Sequence, residues 1–196
     1  LEAFGLDFEI RISNRKLIEG FVLGVGVERK NLLDVLRVID KKAKVSGKEL
    51  EAEFKKCGLN AEQTRKTLQF SAITSLEKAK AALPKNELAQ QGLKELVELF
   101  SVLDTYKKSG KCRLDLGIVR GIDYYTGIVY EAWVTGEADV GAIAGGGRYD
   151  DLLGIYGKEM PATGIAGGIE RLLLSLEKAK LLPEENKQQY FLAYAT

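Results

Sequence analysis

The sequence predicts an α+β protein, an antiparallel β-sheet with flanking helices, carrying in addition a small helical insertion domain. Three observations point that way. Residues 7–13 (DFEIRIS) set Phe8, Ile10 and Ile12 against Asp7, Glu9, Arg11 and Ser13, the two-residue period of a half-buried strand. From about residue 28 to 103 the texture becomes charged segments with apolar stripes at helical spacing. At Arg113 alternation returns and continues through two glycine-rich stretches.

Taken in order, residues 14–24 (NRKLIEGFVLG) place Leu17, Ile18, Phe21 and Val22 at helical spacing, while Gly20 and Gly24 weaken the helix to a short one. Leu32, Leu33, Leu36 and Ile39 then share one helical face, followed by Leu50, Phe54 and Cys57. Asn60 with Gln63 has the spacing of a reciprocal N-terminal cap and opens a helix through Leu68. After Pro84 comes a stripe of Leu88, Leu93, Leu96, Val97 and Phe100. Residues 113–119 (RLDLGIV) and 127–134 (GIVYEAWV) read as an antiparallel hairpin. A third strand is expected at 140–144, ahead of a glycine loop, and a fourth at 162–167. A helix over 169–180 follows, with Leu172, Leu173, Leu176 and Ala179 on one face. Residues 189–196 (QYFLAYAT) read as a new strand after a charged linker. The abrupt opening on a strand is that of a fragment. The expected partition is 1–27 as part of a catalytic domain, 28–103 as the insertion, 104–185 as the rest of the catalytic domain, and 186–196 as the start of another domain.

Composition narrows the chemistry. The 196 residues are 45% hydrophobic, enough for a sizeable core. With 29 Lys and Arg against 28 Asp and Glu, the net charge of +1 gives no bulk attraction to nucleic acid or an anionic membrane. No apolar run approaches the roughly 20 residues of a spanning helix, so a cytoplasmic location is expected. The two cysteines, Cys57 and Cys112, lack metal-ligand spacing and read as reduced thiols. There is no histidine, which removes Ser-His-Asp and Cys-His chemistry. Charge handling falls to Arg, Lys, Asp, Glu and Tyr.

Three segments can carry it. Residues 119–127 (VRGIDYYTG) hold Arg120 beside Gly121, with Tyr124 and Tyr125 on the same short element. A guanidinium keeps its charge and offers a fixed fork of donors, suited to a carboxylate or a phosphate gaining charge during reaction. Residues 144–150 (AGGGRYD) put three glycines before Arg148 and Tyr149, a sequence that lets a flat ligand come close. Residues 161–173 (PATGIAGGIERLL) run from a glycine-rich strand into a helix with Arg171 near its start, where backbone N–H groups already favour anions. Each alone is also compatible with an ordinary surface turn, a flexible connection or an exposed arginine. Their joint occurrence is what carries weight.

On these segments the chain resembles histidyl-tRNA synthetases, which are class II aminoacyl-tRNA synthetases. VRGIDYYTG is similar to that family's histidine-specific motif, AGGGRYD to its second signature and GIAGGIERLL to the third motif of class II enzymes. IRISNRKLIEG (10–20) is similar to the segment after the second class II motif, and residues 28–103 to the insertion domain. The resemblance implies a ligase that activates L-histidine with ATP to histidyl-adenylate and transfers it to tRNA(His). Arg120 would contact the histidine carboxylate and the α-phosphate of ATP as the catalytic residue. Tyr124, Tyr125 and Tyr149 would line the histidine pocket, and Arg171 would bind ATP phosphates. Mg2+ would accompany ATP, with no protein metal site. The full-length protein would be a homodimer. Because the first and second class II motifs are missing from these residues, the chain alone is expected to be inactive. The rival within the fold is a non-catalytic paralogue such as the regulatory subunit of ATP phosphoribosyltransferase. A different class of reading makes residues 32–100 an independent helical interaction module.

Overall fold

The computed structural model describes residues 1–42, 45, 47–119, 124–158 and 160–182. The strand expected at 189–196 lies outside them. Strand β1 (Phe8–Asn14) leads into helix α1 (Arg15–Gly24), then α2 (Leu32–Asp40), α3 (Gly47–Lys56), α4 (Ala61–Ser71), α5 (Leu76–Ala81) and α6 (Glu87–Thr105). The chain returns to the sheet with β2 (Cys112–Leu114), β3 (Ile128–Val134), β4 (Ala144–Tyr149) and β5 (Ala162–Gly167), and α7 (Ile169–Lys178) follows. The strand order is β2-β1-β3-β4-β5.

The expected hairpin between 113–119 and 127–134 does not form. β2 is three residues long and runs parallel to β1, with Ile10 opposite Cys112 and Ile12 opposite Leu114. β3 pairs antiparallel with β1 along its whole length, from Phe8 opposite Val134 to Asn14 opposite Ile128. A parallel pair needs a long crossover, and α1 to α6 supply it. The sheet is therefore antiparallel except at this edge.

The glycine run corrects a second expectation. The predicted strand at 140–144 is displaced: Val140 and Ile143 are buried ahead of β4, and Gly145, Gly146 and Gly147 are the interior of the strand itself. They pair with β3 on one side and β5 on the other. A Cβ on Gly146 would run into the Gly164 carbonyl oxygen and meet the Tyr130 hydroxyl at 2.8 Å. The glycines thus serve close packing of strands rather than a loose loop.

Helix α1 starts where Asn14 accepts a hydrogen bond from Leu17 N at 3.2 Å, as an N-cap should. Its weak-looking glycine is its contact point with α6: a Cβ on Gly20 would meet Ala89 Cα at 2.7 Å. The predicted cap of α4 is present in both directions, with Gln63 N donating to Asn60 Oδ1 and Asn60 N donating to Gln63 Oε1. Of the stripe predicted in α2, Leu32, Leu36 and Ile39 are buried, but Leu33 is exposed and Val35 and Val38 take the inner face. In α6 Leu93 and Leu96 are buried while Val97 is half-exposed, and in α7 Leu176 is buried while Leu173 faces outward. One apolar core joins β1 and α1 to α2, α3, α4, α5 and α6, and a smaller one seats Leu176 on Ala132, Val134, Val140 and Ile143.

Cys57 and Cys112 are free thiols. Burial pushes both thiols up, and Asp34 and Glu53 add to the effect at Cys57. Less thiolate means slower alkylation. At pH 7.5 each cysteine should react more slowly in the folded protein than in urea, as read by mass spectrometry. Equal rates would contradict this packing.

Candidate active site

The sheet has two faces, set by alternation. Ile10, Ile12 and Tyr130 face the helices, whereas Arg11, Val129, Glu131, Trp133, Gly145, Gly147 and Tyr149 share the other face, as the register requires. On this second face Tyr124, Tyr125 and Tyr149 come together. Ring centroids are 4.5 Å apart for Tyr124 and Tyr125, 5.4 Å for Tyr124 and Tyr149, and 6.3 Å for Tyr125 and Tyr149. The Tyr124 hydroxyl donates to the Tyr125 hydroxyl at 3.4 Å. Ile118, Tyr125 and Val129 form the buried base of this cluster.

Glycines make room for the rings. A Cβ on Gly147 would meet the Ile128 carbonyl oxygen at 2.7 Å and the Tyr125 ring at 2.8 Å, and one on Gly164 would meet the Tyr149 hydroxyl at 2.7 Å. The segment carrying Tyr124 and Tyr125 is anchored on its far side. Thr126 N donates to Arg148 O at 2.9 Å, Asp150 N to Thr126 Oγ1 at 3.0 Å, and Arg15 N to Gly127 O at 2.8 Å. Glu95 of α6 holds the start of α1 in turn, accepting from Asn14 Nδ2 and Lys16 Nζ at 2.6 Å each. Arg148 is bound to Asp150 at 2.9 Å, which raises its pKa and directs it away from the tyrosines.

Arg171 stands at the opposite end of β4, five residues or roughly 17 Å along the strand from Tyr149. It is the third residue of α7, and its Nη1 donates to Ala142 O at 2.6 Å. It lines a cavity of about 630 Å3 together with Arg11, Asp115, Ile118, Glu131 and Trp133. Ile118 therefore borders both the tyrosine cluster and this cavity. Arg120 lies outside the described residues. The structure thus brings three of the five sequence-derived residues into one cluster and sets Arg171 in the adjoining cavity.

Sequence reasoning missed the cavity floor. Arg11 lies with Cζ 4.1 Å from the Trp133 ring centroid and donates to Glu9 Oε1 at 2.6 Å, while Trp133 Nε1 donates to Glu131 Oε2 at 3.1 Å. Their signal was present as the polar half of each strand's alternation, which reads as solvent-facing until the register opposes Arg11 to Glu131.

The profile described as Histidyl-tRNA synthetase matches residues 1–172. The chain belongs to the histidyl-tRNA synthetase family. The histidine--tRNA ligase of Thermococcus kodakarensis is 43% identical over 190 residues, covering 93% of this chain and 43% of that protein. The crystal structure of histidyl-tRNA synthetase from Nostoc sp. PCC 7120 is 34% identical and superposes with a TM-score of 0.85, over 93% of this chain and 45% of that one. The chain spans less than half the length of these family members. An ATP phosphoribosyltransferase regulatory subunit/histidyl-tRNA synthetase from Bacillus halodurans C shares the fold at 23% identity and a TM-score of 0.73. The α+β sheet with flanking helices expected from the sequence is thus the family's fold.

Proposed function

We propose that this chain contributes the histidine-binding and part of the ATP-binding machinery of a histidine--tRNA ligase. The observation that carries the proposal is the tyrosine cluster over Gly147 and Gly164, built from two of the segments that resemble the family's signatures and continuous through Ile118 with the cavity of Arg171. The higher identity to histidine--tRNA ligases favours this reading over a regulatory paralogue.

In the reaction, a carboxylate oxygen of L-histidine attacks the α-phosphorus of ATP. The bond to the bridging oxygen breaks, pyrophosphate leaves and histidyl-adenylate forms. A hydroxyl of the terminal ribose of tRNA(His) then attacks the carbonyl carbon, and AMP departs. Arg120 neutralises the charge that gathers on the carboxylate and α-phosphate. The tyrosines enclose the imidazole and offer it a phenolic partner. Arg171, beside the N-terminus of α7, holds the outer phosphates. Among the described residues no group of three or more His, Cys, Asp or Glu is placed to hold a metal. Magnesium would arrive on the phosphates of ATP as part of that substrate. Among the described residues no helix is long and apolar enough to cross a membrane. In the proposed enzyme, residues 28–103 form the insertion and the full-length protein is a homodimer.

The test is histidine-dependent ATP–pyrophosphate exchange by this chain joined to a segment bearing the first and second class II motifs. Exchange is expected with histidine and with no other amino acid. Arg120→Ala should lower it by at least about 100-fold, the usual cost of removing a donor aimed at developing charge. The chain by itself should show none. A folded, joined protein without exchange would overturn the proposal and promote the regulatory paralogue.

A further inference from the structure

Residues 115–118, just beyond β2, form a turn tied to both the sheet and the helices. Asp115 Oδ1 accepts from Gly117 N at 3.0 Å, and Ile118 N donates to Asp115 O at 3.2 Å. Asp115 N donates in turn to Ile12 O at 2.8 Å, which fixes the turn to the sheet. Its other side rests on the helices: Leu116 N faces Ile73 O at 3.5 Å, and Ser71 O lies 3.4 Å from where a Cβ on Gly117 would sit. Lys42 donates to Ser71 Oγ at 3.2 Å and bears its charge toward Asp115. Beyond the turn Ile118 packs on Tyr125 and Val129, and Val119 is buried next to it. Asp115 is thus the junction of three parts: the sheet, the helices around residues 42–73, and the wall of the tyrosine cluster.

We propose that Asp115 is a positioning residue for the histidine pocket, through which the helices at residues 42–73 set the wall that Ile118 presents to Tyr125. The inference rests on the pocket being the histidine site. Asp115 lines the cavity of Arg171, but its role here is exerted through the turn: its carboxylate fixes the N–H of Gly117 and thereby the direction in which Ile118 leaves the turn. Without an acceptor, that part-buried N–H loses its partner, and the turn loosens. Asparagine keeps an acceptor oxygen at the same place, so the conservative variant separates capping from charge.

Two measurements decide it, made on Asp115→Ala and Asp115→Asn in the exchange-competent protein. In pyrophosphate exchange, Asp115→Ala should raise KM for histidine about ten-fold and by more than it raises KM for ATP, a split that uniform destabilisation would not give. Asp115→Asn should restore most of the difference. In amide hydrogen exchange read by mass spectrometry, Asp115→Ala should speed exchange in peptides covering 124–134 as well as 112–119, and Asp115→Asn should not. An unchanged KM for histidine, equal rises for both substrates, or unaltered protection over 124–134 would each overturn the proposal. Faster amide exchange over 124–134 in a parent protein that exchanges no pyrophosphate would keep Asp115 as the residue that positions the cluster. That result would remove histidine as its ligand.

Discussion

Gly92→Ala is expected to destabilise the protein by about 3 kcal/mol, near the upper end for adding a single methyl group. Gly92 sits where α6 crosses α1, and a Cβ there would run into Leu17 N, meet Asn14 Oδ1 at 2.7 Å and Leu17 Cα at 2.8 Å. Two of these atoms are backbone and the third is the cap of α1, so nothing nearby can move cheaply. Relief requires lifting α6 off α1 along the contact that also uses Gly20 and Ala89. That displacement would pull Glu95 from Asn14 and Lys16. Urea denaturation followed by far-UV circular dichroism measures the loss, and a change below about 0.5 kcal/mol would contradict the close crossing. Gly47→Ala supplies the control of opposite sign. Gly47 opens α3 with nothing within 4 Å of where a Cβ would sit, so alanine should stabilise by roughly 0.5 kcal/mol through helix propensity alone.

The glycines at the crossing of α1 and α6 also show what the sequence could and could not convey. Amphipathic spacing located α1, α2, α3, α6 and α7, and the reciprocal cap at Asn60 and Gln63, which located α4, was readable because both partners lie within four residues. The local sequence around Gly20 says only that helix propensity is low, since its reason is Ala89, sixty-nine positions away. Strand pairing suffered in the same manner. Residues 113–119 and 127–134 looked like neighbours because they are close in sequence, but β1 intervenes, and its claim on both strands comes from across the whole helical crossover. The site divides along this line. Tyr124, Tyr125, Tyr149 and Arg171 sit in compact segments whose composition is unusual, so the sequence alone singles them out as candidates. Arg11, Glu131 and Trp133 occupy ordinary alternating strands, so their meeting on the cavity floor depends on register and was invisible beforehand.

The largest effect on activity from outside the charged residues should come from Gly147→Ala, expected to lower kcat/KM for histidine in pyrophosphate exchange by about 100-fold, or about 2.7 kcal/mol. The added methyl would meet the Ile128 carbonyl oxygen at 2.7 Å and the Tyr125 ring carbons at 2.8 and 2.9 Å. The carbonyl belongs to the neighbouring strand, where Gly147 pairs with Val129, and cannot swing aside without opening the ladder. The ring is buried against Ile118 and Val129, so it must tilt toward Tyr124 and Tyr149 and into the space the imidazole is proposed to fill. Gly164→Ala is the discriminating comparison. Its methyl would press chiefly on the Tyr149 hydroxyl, the far end of a side chain that can rotate, and its cost should be about ten-fold at most. The order of the two variants is the decisive reading. Equal losses would mean that both act by disturbing β4 and β5 as strands, whereas a large loss at Gly147 alone places the imidazole against Tyr125.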